Sequence, residues 1–154
     1  MDEAGPFFGV GLSKVEVRDI EFNGTPLGIP DQKLDHTSLA VGYRAGKRGE
    51  PQLFVAASLS RLDSDNGDDE DSTGLKIGVE RTSQSGRYEI SADRDNGDDI
   101  DSYGVNATGI FFISEVVGVG VTGGYSVGDG TIANLEVDVT SWSVGIGLEI
   151  RFLR

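Results

Sequence analysis

The sequence predicts an all-β fold: eight antiparallel, up-and-down strands closed into a transmembrane β-barrel. Three observations carry this expectation. Apolar residues recur at every second position through most of the 154 residues. Glycine fills 23 positions and crowds the face opposite them. The aromatic residues gather at the two ends of the apolar face. The length fits one domain, residues 1–154.

Each strand is argued from its alternation, since a period of two marks a strand with two unlike faces. In chain order the apolar sets are Phe8, Val10, Leu12; Leu39, Val41, Tyr43; Leu53, Val55, Ala57, Leu59; and Leu75, Ile77, Val79. They continue as Tyr88, Ile90, Ala92; Tyr103, Val105, Ala107, Phe111; and Val117, Val119, Val121, Tyr125. The last strand is the clearest: Trp142, Val144, Ile146, Leu148, Ile150 and Phe152 share one face, against Ser141, Ser143, Gly145, Gly147, Glu149 and Arg151. No amphipathic helix competes, and glycine is a poor helix former. Gly118, Gly120 and Gly123 match a GxGxxG spacing, but no strand–helix unit surrounds them.

The connections alternate in length. Lys47–Pro51, Ser83–Gly86 and Ser114–Glu115 read as short turns. Longer polar loops are expected near residues 19–35, 63–73, 93–101 and 127–134, and a disordered N-terminus at 1–6. Short turns on one rim and long loops on the other describe a meander, and eight such strands close without leaving an edge.

Composition excludes other classes. With no cysteine and one histidine, disulfide frameworks and His- or Cys-built metal centres are out. A net charge of −13 argues against a nucleic-acid partner. The longest apolar runs are far too short for a spanning helix. Met1–Pro6 is acidic and polar, unlike a signal peptide; a mature terminus and a cytosolic protein both fit it.

The direction of the apolar face separates a soluble, lipocalin-like ligand-binding barrel from a membrane barrel. The opposite face carries glycine, serine, threonine and the charges Arg44, Lys76, Glu80, Glu89, Glu149 and Arg151. Such residues suit a narrow lumen, and the apolar face then meets lipid. The aromatics agree. Phe8, Tyr43, Tyr88, Phe111 and Phe152 fall near the short-turn rim, and Tyr103, Tyr125 and Trp142 near the other, as two interfacial girdles do.

The C-terminal stretch from Gly145 to Phe152, with Gly145, Gly147, Ile150 and Phe152 in place, resembles the targeting signal of bacterial outer-membrane barrels. Leu153 and Arg154 follow it, where many members end on the aromatic. Over its whole length the chain resembles small eight-stranded barrels of the OmpA, OmpX and opacity-protein type. That resemblance implies the bacterial outer membrane as location, outer-membrane lipid and lipopolysaccharide as surroundings, and the barrel-assembly machinery as a partner during biogenesis. A monomer is expected. Members of this class serve as structural proteins, adhesins, small channels or lipid-modifying enzymes, so the fold leaves the role open.

An acidic repeat is the most distinctive local feature. Residues 63–74 recur as 93–104, identical at nine of twelve positions, and together hold eleven of the 26 acids. Each copy has Asn-Gly at its centre, a strong turn former. Asp63, Asp65, Asp68, Asp69, Asp93, Asp95, Asp98 and Asp99 are the candidate ligands for a divalent cation, Ca²⁺ being the candidate ion. The spacing departs from an EF-hand: glycine comes fifth and the twelfth position is Gly74 or Gly104. Solvated acidic hairpin tips explain the same residues without a metal.

Two activities stand as alternatives. His36 with Ser38 two residues on, and Asp31 or Asp35 nearby, could place a base beside a hydroxyl. The class resemblance would make such a pair a lipid-A-modifying site, although no N-terminal amphipathic helix accompanies it. Lumen charges could line a small channel, but in so narrow a barrel they are expected to pair and fill it. The expected role is therefore non-enzymatic: a structural and surface-interaction barrel.

Overall fold

The period-two alternation resolves into nine strands in the computed structural model, which describes residues 5–28, 30, 32–47, 49–63, 69–98, 100–132 and 134–151. They are β1 (Gly5–Phe22), β2 (Thr25–Pro26), β3 (Gln32–Ala45), β4 (Pro51–Asp63), β5 (Asp69–Thr82), β6 (Gly86–Gly97), β7 (Ile100–Phe112), β8 (Val117–Ile132) and β9 (Leu135–Arg151). The two-residue β2 only folds back on the end of β1, so the wall has the eight strands expected. Each wall strand pairs antiparallel with the next, and β1 returns to β9 through Phe8↔Ile150 and Leu12↔Ile146. Closure satisfies every strand edge, which an apolar surrounding requires.

The two faces are inverted relative to a soluble protein. Val144 is 72% exposed, Ile90 71% and Leu53 64%, while Glu80 is 1% exposed and Arg44 and Glu149 4%. Greasy side chains therefore point outward and charges inward. Tyr43, Tyr88 and Phe111 sit exposed at the short-turn end, and Tyr103, Tyr125 and Trp142 at the other, forming the two girdles. Tyr125 and Trp142 pack edge to face with centroids 4.9 Å apart. Phe152 lies outside the described residues.

The long loops are mostly not loops. Strands β1 and β9 run for 18 and 17 residues, and the segments expected as loops shrink to the breaks between the strands given above. Gly5 and Pro6, expected in a disordered terminus, instead open β1 opposite Arg44 and Tyr43. Aspartate and glycine read locally as loop, but ladder pairing overrides that weak propensity. Tilted by about 40°, as barrel strands are, an 18-residue strand rises about 45 Å, half as much again as a hydrocarbon core of about 30 Å. The wall therefore continues beyond the bilayer as a polar crown. Asn23 (φ 50°) and Gly24 (φ 74°) make the tight turn from β1 to β2, both left-handed as a type I′ turn requires. A bulge in β1 between Val17 and Asp19 shifts its register against β9, turning Ile20 inward and Glu21 outward.

The lumen is less uniformly polar than its glycine and serine content predicts. Phe7, Phe54, Ala56 and Ile110 are buried at the short-turn end. They fit because glycines face them. A β-carbon on Gly42 would stand 2.6 Å from Phe7 Cζ, one on Gly78 2.7 Å from Phe54 Cε1, and one on Gly118 or Gly120 2.7 Å from Ile110. Acids use the same device: Asp95 lies over Gly74, Asp93 over Gly104 and Glu70 over Gly97. In a lumen this narrow, a glycine on the neighbouring strand makes the room for each of these side chains.

Candidate functional site

The lumen has two storeys. At the short-turn end six charges interlock. Arg44 Nη2 donates to Glu149 Oε1 at 3.1 Å, and its Nε lies 3.2 Å from Glu80 Oε1. Arg87 bridges Glu80 Oε2 at 2.6 Å, Glu149 Oε2 at 2.5 Å and Glu89 Oε2 at 3.1 Å. Lys76 Nζ completes the set on Glu89 Oε1 at 2.5 Å. The three cations and three carboxylates cancel. Arg44 also stacks 4.5 Å from the Phe7 ring centroid, and Lys76 Nζ lies 5.7 Å from that of Phe54. This plug was anticipated from Arg44, Lys76, Glu80, Glu89 and Glu149. Arg87, its central member, was missed, though the outward parity of Tyr88 points its neighbour inward. The side chain of Arg151 lies outside the described residues.

Above the plug is a cavity of about 370 Å³ lined by hydroxyls and, at the crown end, by Val15, Leu34, Leu62, Ile100 and Val139. The hydroxyls satisfy one another across neighbouring strands: Ser60 with Ser72 at 2.9 Å, Ser126 with Ser141 at 2.6 Å, and Thr108 donating to Thr122 at 3.0 Å. His36 faces this cavity. Its Nδ1 is hydrogen-bonded to Ser13 Oγ at 2.8 Å, so the partner is Ser13 and not the Ser38 suggested by sequence spacing. Asp35, considered as an orienting acid, faces outward and pairs with Lys14. Asp31 lies outside the described residues.

The two copies of the acidic repeat fold differently. Asp63 and Asp69 face each other across β4 and β5, exposed on the outer side of the crown. Arg61 gathers them, 3.3 Å from Asp63, 2.7 Å from Asp69 and 3.8 Å from Asp71. The hydrogen bond and charge of Asp69, with Asp71 behind it, raise the Arg61 pKa. Asp93 and Asp95 instead point into the lumen, and Asp93 accepts from Asn106 Nδ2 at 2.5 Å. Asp98 is exposed beyond β6. Asn96-Gly97, expected as the centre of the second turn, belongs to β6, which ends only at Gly97. Asp65, Asp68 and Asp99 lie outside the described residues. Among the described residues no three acids or histidines come together as a metal site.

A different acidic feature appears only with register. Asp101, Asp129, Asp138 and Glu21 stand in one row across β7, β8, β9 and β1, each opposite the next.

An apolar outer wall, two aromatic girdles and a charge-filled lumen define a small eight-stranded transmembrane barrel of the outer-membrane type. Neither a protein-family model nor a curated protein matches the sequence. Among solved structures, the fold is similar to neisserial surface protein A, with a TM-score of 0.64 at 13% identity, covering 97% of this chain and 99% of that one. The outer-membrane protein OmpT of Vibrio cholerae aligns with a TM-score of 0.35 at 15% identity, covering 94% of this chain and 52% of that one.

Proposed function

We propose that this chain resides in the bacterial outer membrane as a closed barrel whose working surfaces are its lipid-facing wall and its acidic crown. The observation that carries this is the neutral plug of Arg44, Arg87, Lys76, Glu80, Glu89 and Glu149, which fills the lumen at one end. A blocked lumen leaves structural and surface interactions as the role. Lipopolysaccharide and outer-membrane lipid are the standing partners, and the barrel-assembly machinery acts during insertion.

The crown carboxylates support a place for divalent cations. Like charges directly opposite across strands repel, and the row Asp101, Asp129, Asp138, Glu21 repeats that opposition at each ladder. Ca²⁺ shared with lipid phosphates relieves it without a chelating cage. The pair Ser13–His36 is read as a lumen contact of the same kind as the hydroxyl pairs around it.

The test is thermal unfolding of the refolded chain in bilayers containing lipopolysaccharide. The midpoint rises with Ca²⁺ above the value in Na⁺ of equal ionic strength. An unchanged midpoint overturns the cation role, and porin-sized current steps in planar bilayers overturn the closed barrel.

A further inference from the structure

At the short-turn end the outer wall is layered by pairing register. Leu53, Val79 and Ile90 are direct partners across β4, β5 and β6, and all three are exposed. The next row toward the rim is Pro51, Arg81 and Tyr88, again direct partners. Aliphatic carbon is thus followed at once by a guanidinium beside a girdle tyrosine. The β3–β4 turn is fastened to the end of this row. Gly49 N donates to Thr82 O at 3.0 Å, and Arg81 Nε donates to Gly49 O at 3.1 Å.

Arg81 is exposed, and its tether to Gly49 engages only Nε, so Nη1 and Nη2 remain for a bound group. Exposed Lys14, Arg18 and Arg61 each sit on a carboxylate of the chain, whereas among the described residues none pairs with Arg81. Lys47 is exposed in the adjoining turn and likewise has no carboxylate partner among the described residues. By sequence, Lys47, Arg48 and Arg81 against Glu50 leave this corner with net positive charge, the reverse of the crown. Short turns lie on the periplasmic side in barrels of this type, away from the crown and its lipopolysaccharide.

We propose that this corner seats one anionic diacyl phospholipid of the phosphatidylglycerol kind. Its acyl carbons lie on Leu53, Val79 and Ile90, and its phosphate meets Arg81 at the height of Tyr88, with Lys47 beyond. A guanidinium with both terminal nitrogens open offers a phosphate a forked pair of donors. The second cation, Lys47, discriminates between headgroups. Ethanolamine would bring an ammonium against it, and glycerol brings none. The inference rests on the outer-membrane reading proposed above, with the short turns facing the periplasm.

The experiment is native mass spectrometry of the full chain, refolded in a nonionic detergent and offered equal amounts of phosphatidylglycerol and phosphatidylethanolamine with identical acyl chains. One phosphatidylglycerol is retained about fivefold over phosphatidylethanolamine, the scale of one basic side chain near an anionic lipid. Arg81→Gln weakens retention of both lipids, since both carry the phosphate, and Lys47→Gln removes the preference. Arg94→Gln, at the opposite girdle, changes neither. Arg81→Lys keeps the charge without the fork and retains an intermediate amount, which a folding defect would not produce. Unchanged heat-modifiable gel mobility confirms that each variant is folded. Equal retention of the two lipids by the unaltered chain, or retention of neither, overturns the proposal. So does retention that survives Arg81→Gln or falls as far with Arg94→Gln, and so does a preference that survives Lys47→Gln. Loss of heat-modifiable mobility in the unaltered chain instead overturns the membrane barrel itself, and the seat with it.

Discussion

The Phe54 ring occupies the space that a β-carbon on Gly78 would need, with Cε1 2.7 Å and Cζ 2.8 Å from that position. The two residues are also direct partners across β4 and β5. The contact is the clearest case of a large lumen side chain lying over a glycine on the next strand. Gly78→Ala is expected to destabilise the folded barrel by about 1–3 kcal/mol, the usual cost of overpacking. Gly9→Ala, whose added carbon meets nothing nearer than a backbone oxygen at 4.0 Å, stays within about 0.5 kcal/mol. Urea midpoints in one detergent compare the two.

Arg87 holds three carboxylates at once, so its removal strands Glu80, Glu89 and Glu149 in a low dielectric. Arg87→Met is expected to cost about 3–5 kcal/mol, as breaking a buried pair does. Arg87→Lys recovers only part of this, because a point charge lacks the guanidinium's fork. Equilibrium unfolding of both variants checks the order.

Asp129 stands opposite both Asp101 and Asp138. Asp129→Asn should stabilise the crown by roughly 0.2–1 kcal/mol, and the gain should shrink as salt screens the repulsion. Unfolding midpoints at low and high salt, for this variant and the unaltered chain, show whether both effects occur.

Trp142 is the only tryptophan of the chain and sits exposed beside Tyr125 in the crown-side girdle. Its fluorescence should be quenched more strongly by lipids brominated near the carbonyls than by lipids brominated at mid-chain. The opposite order would move the girdle away from the interface.

The eight wall strands and their outward faces were legible from residue alternation, though not how far each strand runs, and the turn arithmetic was legible with them. Leu53, Val55 and Leu59 point outward, as do Leu75, Ile77 and Val79, all odd-numbered. The β4–β5 connection must then hold an odd number of residues, and Asp63↔Asp69 leaves five between them. Outward Tyr88 and Ile90 are even while Tyr103 and Val105 are odd, so the β6–β7 connection holds an even number, and Asn96↔Asp101 fits. The same twelve-residue motif is thus forced into two different hairpins, and Asp93 turns inward where Asp63 turns outward. Local turn preference at Asn96-Gly97 lost to the faces of the whole strand.

Other features were beyond sequence reasoning. Arg44 and Glu149 are 105 residues apart and meet only through barrel closure. The acidic row from Asp101 to Glu21 depends on register at three successive ladders, none of which is written in a local pattern. His36 found Ser13, its direct partner on the neighbouring strand β1, and not Ser38 along its own strand, because neighbouring strands bring lumen side chains closer than two steps of one strand do.

The bulge between Val17 and Asp19 has a wider meaning for how such a chain can vary. Every connection sets the phase of all side chains that follow it. A hairpin can therefore gain residues in twos, but a single insertion turns oil to water along an entire stave. The bulge is where this barrel swallows an odd residue and resumes in step, so odd-numbered length changes elsewhere should be found beside a similar kink.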